Sequence, residues 1–170
     1  MVHVFQVTTT EHQQQVRKLF WEYLVWANTM TTRRYNLDLD IATMLREDMA
    51  ELENFMPPTG RLLLAEDHER IAGLACLLRH DAQTAELKRM YVRITCRGRG
   101  VGRTLLQAII DEARTIGYTK LRLDSTSFMR EAHQLYESMG FARIAPYSET
   151  EIPTEFHPHW VFMELNLDQE

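Results

Sequence analysis

The sequence predicts a mixed β-sheet with helices on its faces, in the α/β or α+β class. Three observations carry that prediction. Apolar residues recur at helical spacing over 10–30, 38–55 and 101–116. Short apolar runs bounded by turn residues, over 61–66, 70–79 and 86–92, read as strands. In the second half of the chain the two signals alternate, giving the order α-α-β-β-β-α-β-α-β-β.

Each element has its own reason. Val16, Leu19, Phe20, Tyr23, Leu24 and Ala27 form the stripe of the first helix, with Thr10 as N-cap. Residues 31–38 read as a polar connector. Ile41, Met44, Leu45, Met49 and Leu52 share a face of the second helix, which Pro57-Pro58-Thr59-Gly60 stops. The three strands follow, turning at Asp67–Glu69 and His80–Thr84. Val101, Leu105, Ala108, Ile109, Ala113 and Ile116 line the third helix, and Gly117 takes its C-cap position. Residues 120–124 read as a strand and 129–139 as a short helix ended by Gly140. Strands over 141–147 and 160–167 close the chain around a twelve-residue loop.

The chain has 170 residues, 45% hydrophobic and 25% charged, enough for one domain over 1–170 that buries about 70% of its unfolded surface. Seven glycines and five prolines exclude collagen-like or linker character. No apolar run reaches the roughly 18 residues of a membrane span, and the first 25 residues lack a signal-peptide pattern. Two cysteines, Cys76 and Cys96, cannot build a disulfide framework or a structural zinc site. His157-Pro158-His159 lacks partners for a metal and reads as a solvated loop; His133 reads as exposed. These signs point to a cytoplasmic protein without metal or membrane association. A net charge of −5 disfavours nucleic acid.

That average hides a local feature. Between Leu87 and Ile110 there is no acid, yet Lys88, Arg89, Arg93, Arg97, Arg99 and Arg103 lie there with Gly98, Gly100 and Gly102. The cluster joins a strand end to a helix start. First-turn amides lack intrahelical partners and favour anions. Glycines let backbone approach a phosphate, and arginines add charge-assisted hydrogen bonds. The spacing fits neither the Walker pattern nor G-x-G-x-x-G, because Arg103 falls at the decisive position.

Arg97-Gly98-Arg99-Gly100-Val101-Gly102 resembles the R-x-x-G-x-G acyl-CoA signature of the GNAT acetyltransferase superfamily. Glu86–Val92 resembles that family's central strand, and Ala132–Phe141 its A-x-x-L-Y-x-x-x-G-F segment. The match covers about 60–167. The resemblance implies a mostly antiparallel sheet of six to seven strands with a splayed central pair and about four helices. It implies acetyl-CoA as co-substrate and transfer to a primary amine on a small molecule or peptide, or a non-catalytic acyl-CoA-binding module on the same fold. A homodimer is the family's habit.

The resemblance also implies a cofactor site of Met90, Tyr91, Val92, Arg97, Gly98, Arg99, Gly100, Val101, Gly102, Arg103 and Thr104. A backbone N–H near Met90 or Tyr91 would face the oxyanion. Tyr136 is the expected acid for the thiolate, being protonated at neutral pH. Glu86 is the expected base, placed by strand alternation on one face with Lys88, Met90 and Val92. Met129 stands where relatives carry an asparagine, so Ser125, Thr126 or Ser127 would replace that contact or cap the helix. The acids of 148–156 would draw in a cationic amine.

Overall fold

In the computed structural model, which describes residues 1–168, seven strands form one sheet in the order β1-β2-β3-β4-β5-β7-β6. They are β1 (Val2–Gln6), β2 (Arg61–Asp67), β3 (Arg70–Arg79), β4 (Thr84–Val92), β5 (Lys120–Thr126), β6 (Ala142–Ile144) and β7 (Trp160–Asn166). All neighbouring pairs are antiparallel except β4–β5. The helices are α1 (Thr10–Tyr35), α2 (Ile41–Ala50), α3 (Val101–Ile116) and α4 (Arg130–Ser138). α1 and α2 cover one face around Leu19, Phe20, Leu62 and Leu74; α3 and α4 cover the other around Leu77, Leu105, Ile109 and Leu121.

Several boundaries differ from expectation. β1 was not anticipated: Val2-His3-Val4-Phe5-Gln6 is too short for alternation to stand out, and its pairing with Asp67–Leu63 forms it. α1 begins at a Thr9 cap rather than Thr10 and runs through most of the expected connector. Thr31 is buried, and Asn36 ends the helix in the left-handed region, at φ 53°. The second helix starts at an Asp40 cap and finishes as a 3₁₀ turn over 52–55. The strand expected over 141–147 shrinks to three residues, and the loop before β7 contains a 3₁₀ turn over 154–159.

Two features of β4 position the site. It pairs with β5 only through Thr84–Glu86 against Lys120–Arg122, and the strands then part. The splayed pair expected from the resemblance is therefore present. Opposite Ala75, β4 also carries a bulge at Arg89, which sits at φ 50°. A positive φ is uncommon for a side chain of this size. The bulge reverses the alternation: Leu87, Met90 and Val92 pack toward α3, while Glu86 and Lys88 lie on the α1–α2 face with their partners Leu78 and Cys76. Glu86 does not share a face with Met90 and Val92, because the extra residue shifts the register of faces by one. Gly73 accommodates the bulge; a Cβ there would lie 2.5 Å from the Tyr91 carbonyl oxygen.

Candidate active site

Where β4 and β5 part, a narrow cleft of about 40 Å³ opens. Glu86, Leu87, Lys88, Arg89 and Met90 line it from β4, Leu123, Asp124 and Ser125 from β5, Tyr23 from α1, Met129 and Tyr136 from the start and middle of α4, and Glu151 from the β6–β7 loop. Past Glu86 no β5 partner faces this edge of β4, so backbone near Met90 borders the cleft. The space admits a water or an amino group but nothing larger.

At one end lies the glycine turn. Gly98 and Gly100 have φ of 74° and 83°, a conformation that favours glycine, and a Cβ on either would meet only open space. Gly100 is the N-cap of α3 and supplies no capping side chain, so the first-turn amides over Val101–Arg103 are left for an outside acceptor. Gly102 is close to Leu135, Met90 and Val92, tying the turn to α4 and to the cleft. The fold therefore brings together the turn, Met90 to Val92 and Tyr136, as expected.

The cation cluster divides in two. Arg89 makes a bidentate pair with Asp48 and a third contact to Glu151; Lys88 Nζ is 3.0 Å from Glu151; Arg93 holds Glu22 and the Ile71 carbonyl. These three hold distant segments together. Arg97, Arg99 and Arg103 stay at the turn. Arg97 Nε donates to the Val92 carbonyl while its guanidinium lies over Trp26, at 5.0 Å, and over Tyr91, at 5.9 Å. Arg103 donates to Ser138, and Arg99 is mostly exposed, 3.5 Å from Asp67.

Tyr136 is buried in the core against Phe141 and also faces the cleft. Burial, with lesser contributions from Tyr23 and Asp124, raises its pKa, so the phenol keeps its proton at neutral pH. Glu86 is buried, not a solvated strand end: Oε2 is 2.6 Å from His80 Nε2 and Oε1 is 3.4 Å from the Tyr147 hydroxyl. Asp124 Oδ2 accepts from Thr150 at 3.0 Å and lies 3.3 Å from the same Tyr147 hydroxyl. Burial first, and the Glu86 charge second, raise the Asp124 carboxyl to about 6.

Other readings are corrected. His133 is buried beside Ser125, at 3.2 Å, where burial lowers its pKa. His157 bonds the Ile152 carbonyl and His159 stacks on Tyr35, so this pair is structural rather than a solvated loop. Among the described residues no cluster of three or more His, Cys, Asp or Glu is arranged for a metal, and no helix is long and apolar enough to cross a membrane. Ser125 contacts the Met129 sulfur, and no side chain caps α4. Of the loop acids, Glu151 is paired with Lys88 and Arg89 and Glu149 with Arg122, while Glu155 is exposed outside these pairs, so two of the three are already neutralised. Asp124 and His80 escaped sequence reasoning. The one available signal for Asp124 was its place toward the carboxyl end of a parallel strand, where open sheets bind ligands.

A splayed β4–β5 pair, an uncapped glycine turn and a tyrosine facing the gap make up the framework that the resemblance to acetyltransferases implies. The Acetyltransferase (GNAT) family model matches residues 14–141, and the chain belongs to that family. An uncharacterized N-acetyltransferase of Schizosaccharomyces pombe is 30% identical over 140 residues, covering 81% of this chain and 82% of the relative. The fold is similar to a GNAT-family acetyltransferase of Staphylococcus aureus, with TM-score 0.75, 20% identity and coverage of 98% and 99% of the two chains. It is also similar to the PaiA N-acetyltransferase of Thermoplasma acidophilum solved with coenzyme A, with TM-score 0.72, 16% identity and coverage of 98% and 99%.

Proposed function

We propose that the protein transfers the acetyl group of acetyl-CoA directly to a primary amine. The observation that carries this reading is the cleft shared by the open edge of β4 at Met90 and by Tyr136, with the uncapped α3 N-terminus beside it through the approach of Gly102 to Met90. The amides of Val101–Arg103, with Gly98, Gly100 and Arg97, hold the pyrophosphate. Backbone near Met90 and Tyr91 faces the thioester carbonyl, where an N–H stabilises the developing oxyanion. Val92 and Thr104 flank the cofactor's path. Tyr136 protonates the departing thiolate, and the buried acids that include Glu86 receive the proton of the amine.

The acceptor must displace the β6–β7 loop, because the cleft as closed by Glu151 admits only its amino group. The test is a panel of small amines and peptides with acetyl-CoA, following free thiol. Acceptor-dependent thiol release supports transfer. Tight coenzyme A binding without thiol release across the panel would favour the acyl-CoA-binding module instead.

A further inference from the structure

Four polar groups from separate parts of the chain form a row that starts at the cleft wall. Asp124 borders the cleft, two residues past the last β4–β5 pair. Its Oδ2 and Glu86 Oε1 lie 3.3 and 3.4 Å from the single hydroxyl of Tyr147. Glu86 Oε2 meets His80 Nε2 at 2.6 Å. The His80 side chain is 7% exposed, and its Nδ1 is buried with no hydrogen-bond partner.

The chemistry of these groups makes the row more than an acidic patch. A phenol owns one proton, and ionised carboxylates only accept. Set between two carboxyl groups, Tyr147 can donate to one; the other contact is a hydrogen bond only when that carboxyl holds a proton. The row is therefore completed by one extra proton at its Asp124 end. At the far end, the ionised Glu86 carboxylate accepts from His80 Nε2–H, which fixes the other end of the row. His80 stands beside the exposed turn 81–83.

We propose that Asp124 takes the proton of the acceptor amine, and that Tyr147, Glu86 and His80 are the row that shares it until the cleft opens. The inference rests on the acetyl-transfer reading above and changes the part played by Glu86. Glu86 and Asp124 both line the cleft, but both Glu86 oxygens are engaged, by His80 and Tyr147, whereas the hydrogen bonds of Asp124 all fall on Oδ2, so Asp124 Oδ1 is the carboxyl oxygen that meets the nitrogen. Asp124 is the catalytic residue; the other three act through it.

The step balances. R–NH3⁺ gives a proton to the Asp124 carboxylate and becomes R–NH2. Its lone pair forms the N–C bond to the thioester carbonyl, whose π electrons move to oxygen. Collapse breaks the C–S bond, the attacking nitrogen loses its second proton, and the thiolate is protonated through Tyr136. One proton per turnover remains on Asp124. It is shared with the Tyr147 oxygen as Tyr147 gives its own proton to Glu86, whose other oxygen stays held by His80 Nε2–H, and it returns along the same row to Asp124 and out to solvent when the cleft opens for product release. The groups facing Asp124 are Glu86 and Lys88 of β4, Tyr23 of α1, Tyr136 of α4, and Tyr147, Thr150 and Glu151 of the loop. Burial and Glu86 place its carboxyl near 6, which makes it ionised yet more basic than an ordinary carboxylate at neutral pH.

The test compares Asp124→Asn, Glu86→Gln and His80→Gln in transfer to two amines, one strongly basic and one already neutral at pH 7.5. The imidazole resonances of His80 are followed through pH 5–8 in wild type, Asp124→Asn and Tyr147→Phe. Asp124→Asn is expected to slow transfer to the basic amine about 100-fold and to the neutral amine less than about tenfold, with smaller losses for the other two variants. The course of the His80 signals with pH should differ from wild type in both Asp124→Asn and Tyr147→Phe. A larger loss in Glu86→Gln than in Asp124→Asn overturns the assignment, as does equal damage with both amines. The resonances need no turnover. If wild type accepts no amine at all, the transfer reading fails and Asp124 loses its role with it. If transfer occurs but the His80 signals ignore Asp124, only the row is wrong.

Discussion

The two ends of the cleft treat charge in opposite ways. At the glycine turn, charge is fixed: backbone amides and arginines stay positive at every working pH, and they are exposed. At the splay, charge is movable: carboxyl groups, a phenol and an imidazole are packed away from water and share too few protons for their contacts. The first arrangement suits a ligand whose phosphates never change state within the reaction. The second suits a step in which a proton must leave. Burial separates them physically, because desolvation leaves an amide dipole unaltered and shifts a carboxyl's equilibrium by units.

The sharpest way to break this contrast is at Tyr136, which stands between the two ends. Tyr136→Phe keeps the ring packed against Phe141 and removes only the hydroxyl. Turnover should fall about 100-fold or more, while coenzyme A affinity by calorimetry changes less than about twofold. Affinity falling in step with turnover would make Tyr136 part of the binding end instead.

The next effect is at Asp124 and is read in stability. Its folded pKa, about 6, lies above the ordinary aspartate value of 3.8. Between these values the folded state holds a proton that the unfolded chain has lost. Stability therefore falls as pH rises through that window and stays lower above it. Asp124→Asn removes this penalty, so the variant should be more stable than wild type by about 3 kcal/mol at pH 7.5, with the gain shrinking as pH falls toward 4. Urea unfolding at the two pH values checks it. Wild-type kcat/KM should move the other way, rising through pH 6 as Asp124 ionises. Stability and activity changing in the same direction would dissociate Asp124 from the reaction.

The two ends also differ in how far they could be read from sequence. Residues 97–104 are contiguous, so their glycines, arginines and helix start are visible together. His80, Glu86, Asp124 and Tyr147 are brought together by strand pairing and by a loop, and no spacing announces them. Glu86 was legible as a residue, but its face was not, since one bulged residue at Arg89 reverses the alternation on which that reading rests. The cation count was equally visible, whereas its division was not: Asp48, Glu22 and Glu151 neutralise Arg89, Arg93 and Lys88 from distant segments. Strand β1 was hidden because five residues carry little period of their own.

A smaller effect belongs to Gly100. Its φ of 83° costs an alanine roughly 1–2 kcal/mol through backbone strain alone, since a Cβ would meet no neighbouring atom. Gly100→Ala should lower unfolding stability by about 1 kcal/mol and weaken coenzyme A binding as the amides tilt. Gly100→Asp adds a negative charge at the same place, so its affinity loss should exceed that of alanine and depend on salt. Equal losses for the two variants would mean that shape, and not charge, governs this end.

The smallest effect separates the two kinds of arginine. Arg97 is exposed and held over Trp26 and Tyr91, with one donor on the Val92 carbonyl. Arg97→Ala should weaken coenzyme A binding roughly three- to tenfold at low salt, and less at high salt, because exposed charges are screened within about 10 Å at 0.1 M. Arg93→Ala removes a cation only four residues away, but one already paired with Glu22 and bonded to the Ile71 carbonyl. That change should lower the melting temperature and leave coenzyme A affinity near wild type. If both alanines weakened binding alike, the turn would attract the cofactor through summed positive charge. Different responses would mean that donors placed at the turn do the binding, and that the cations upstream of it serve to join the strand to α1, α2 and the β6–β7 loop.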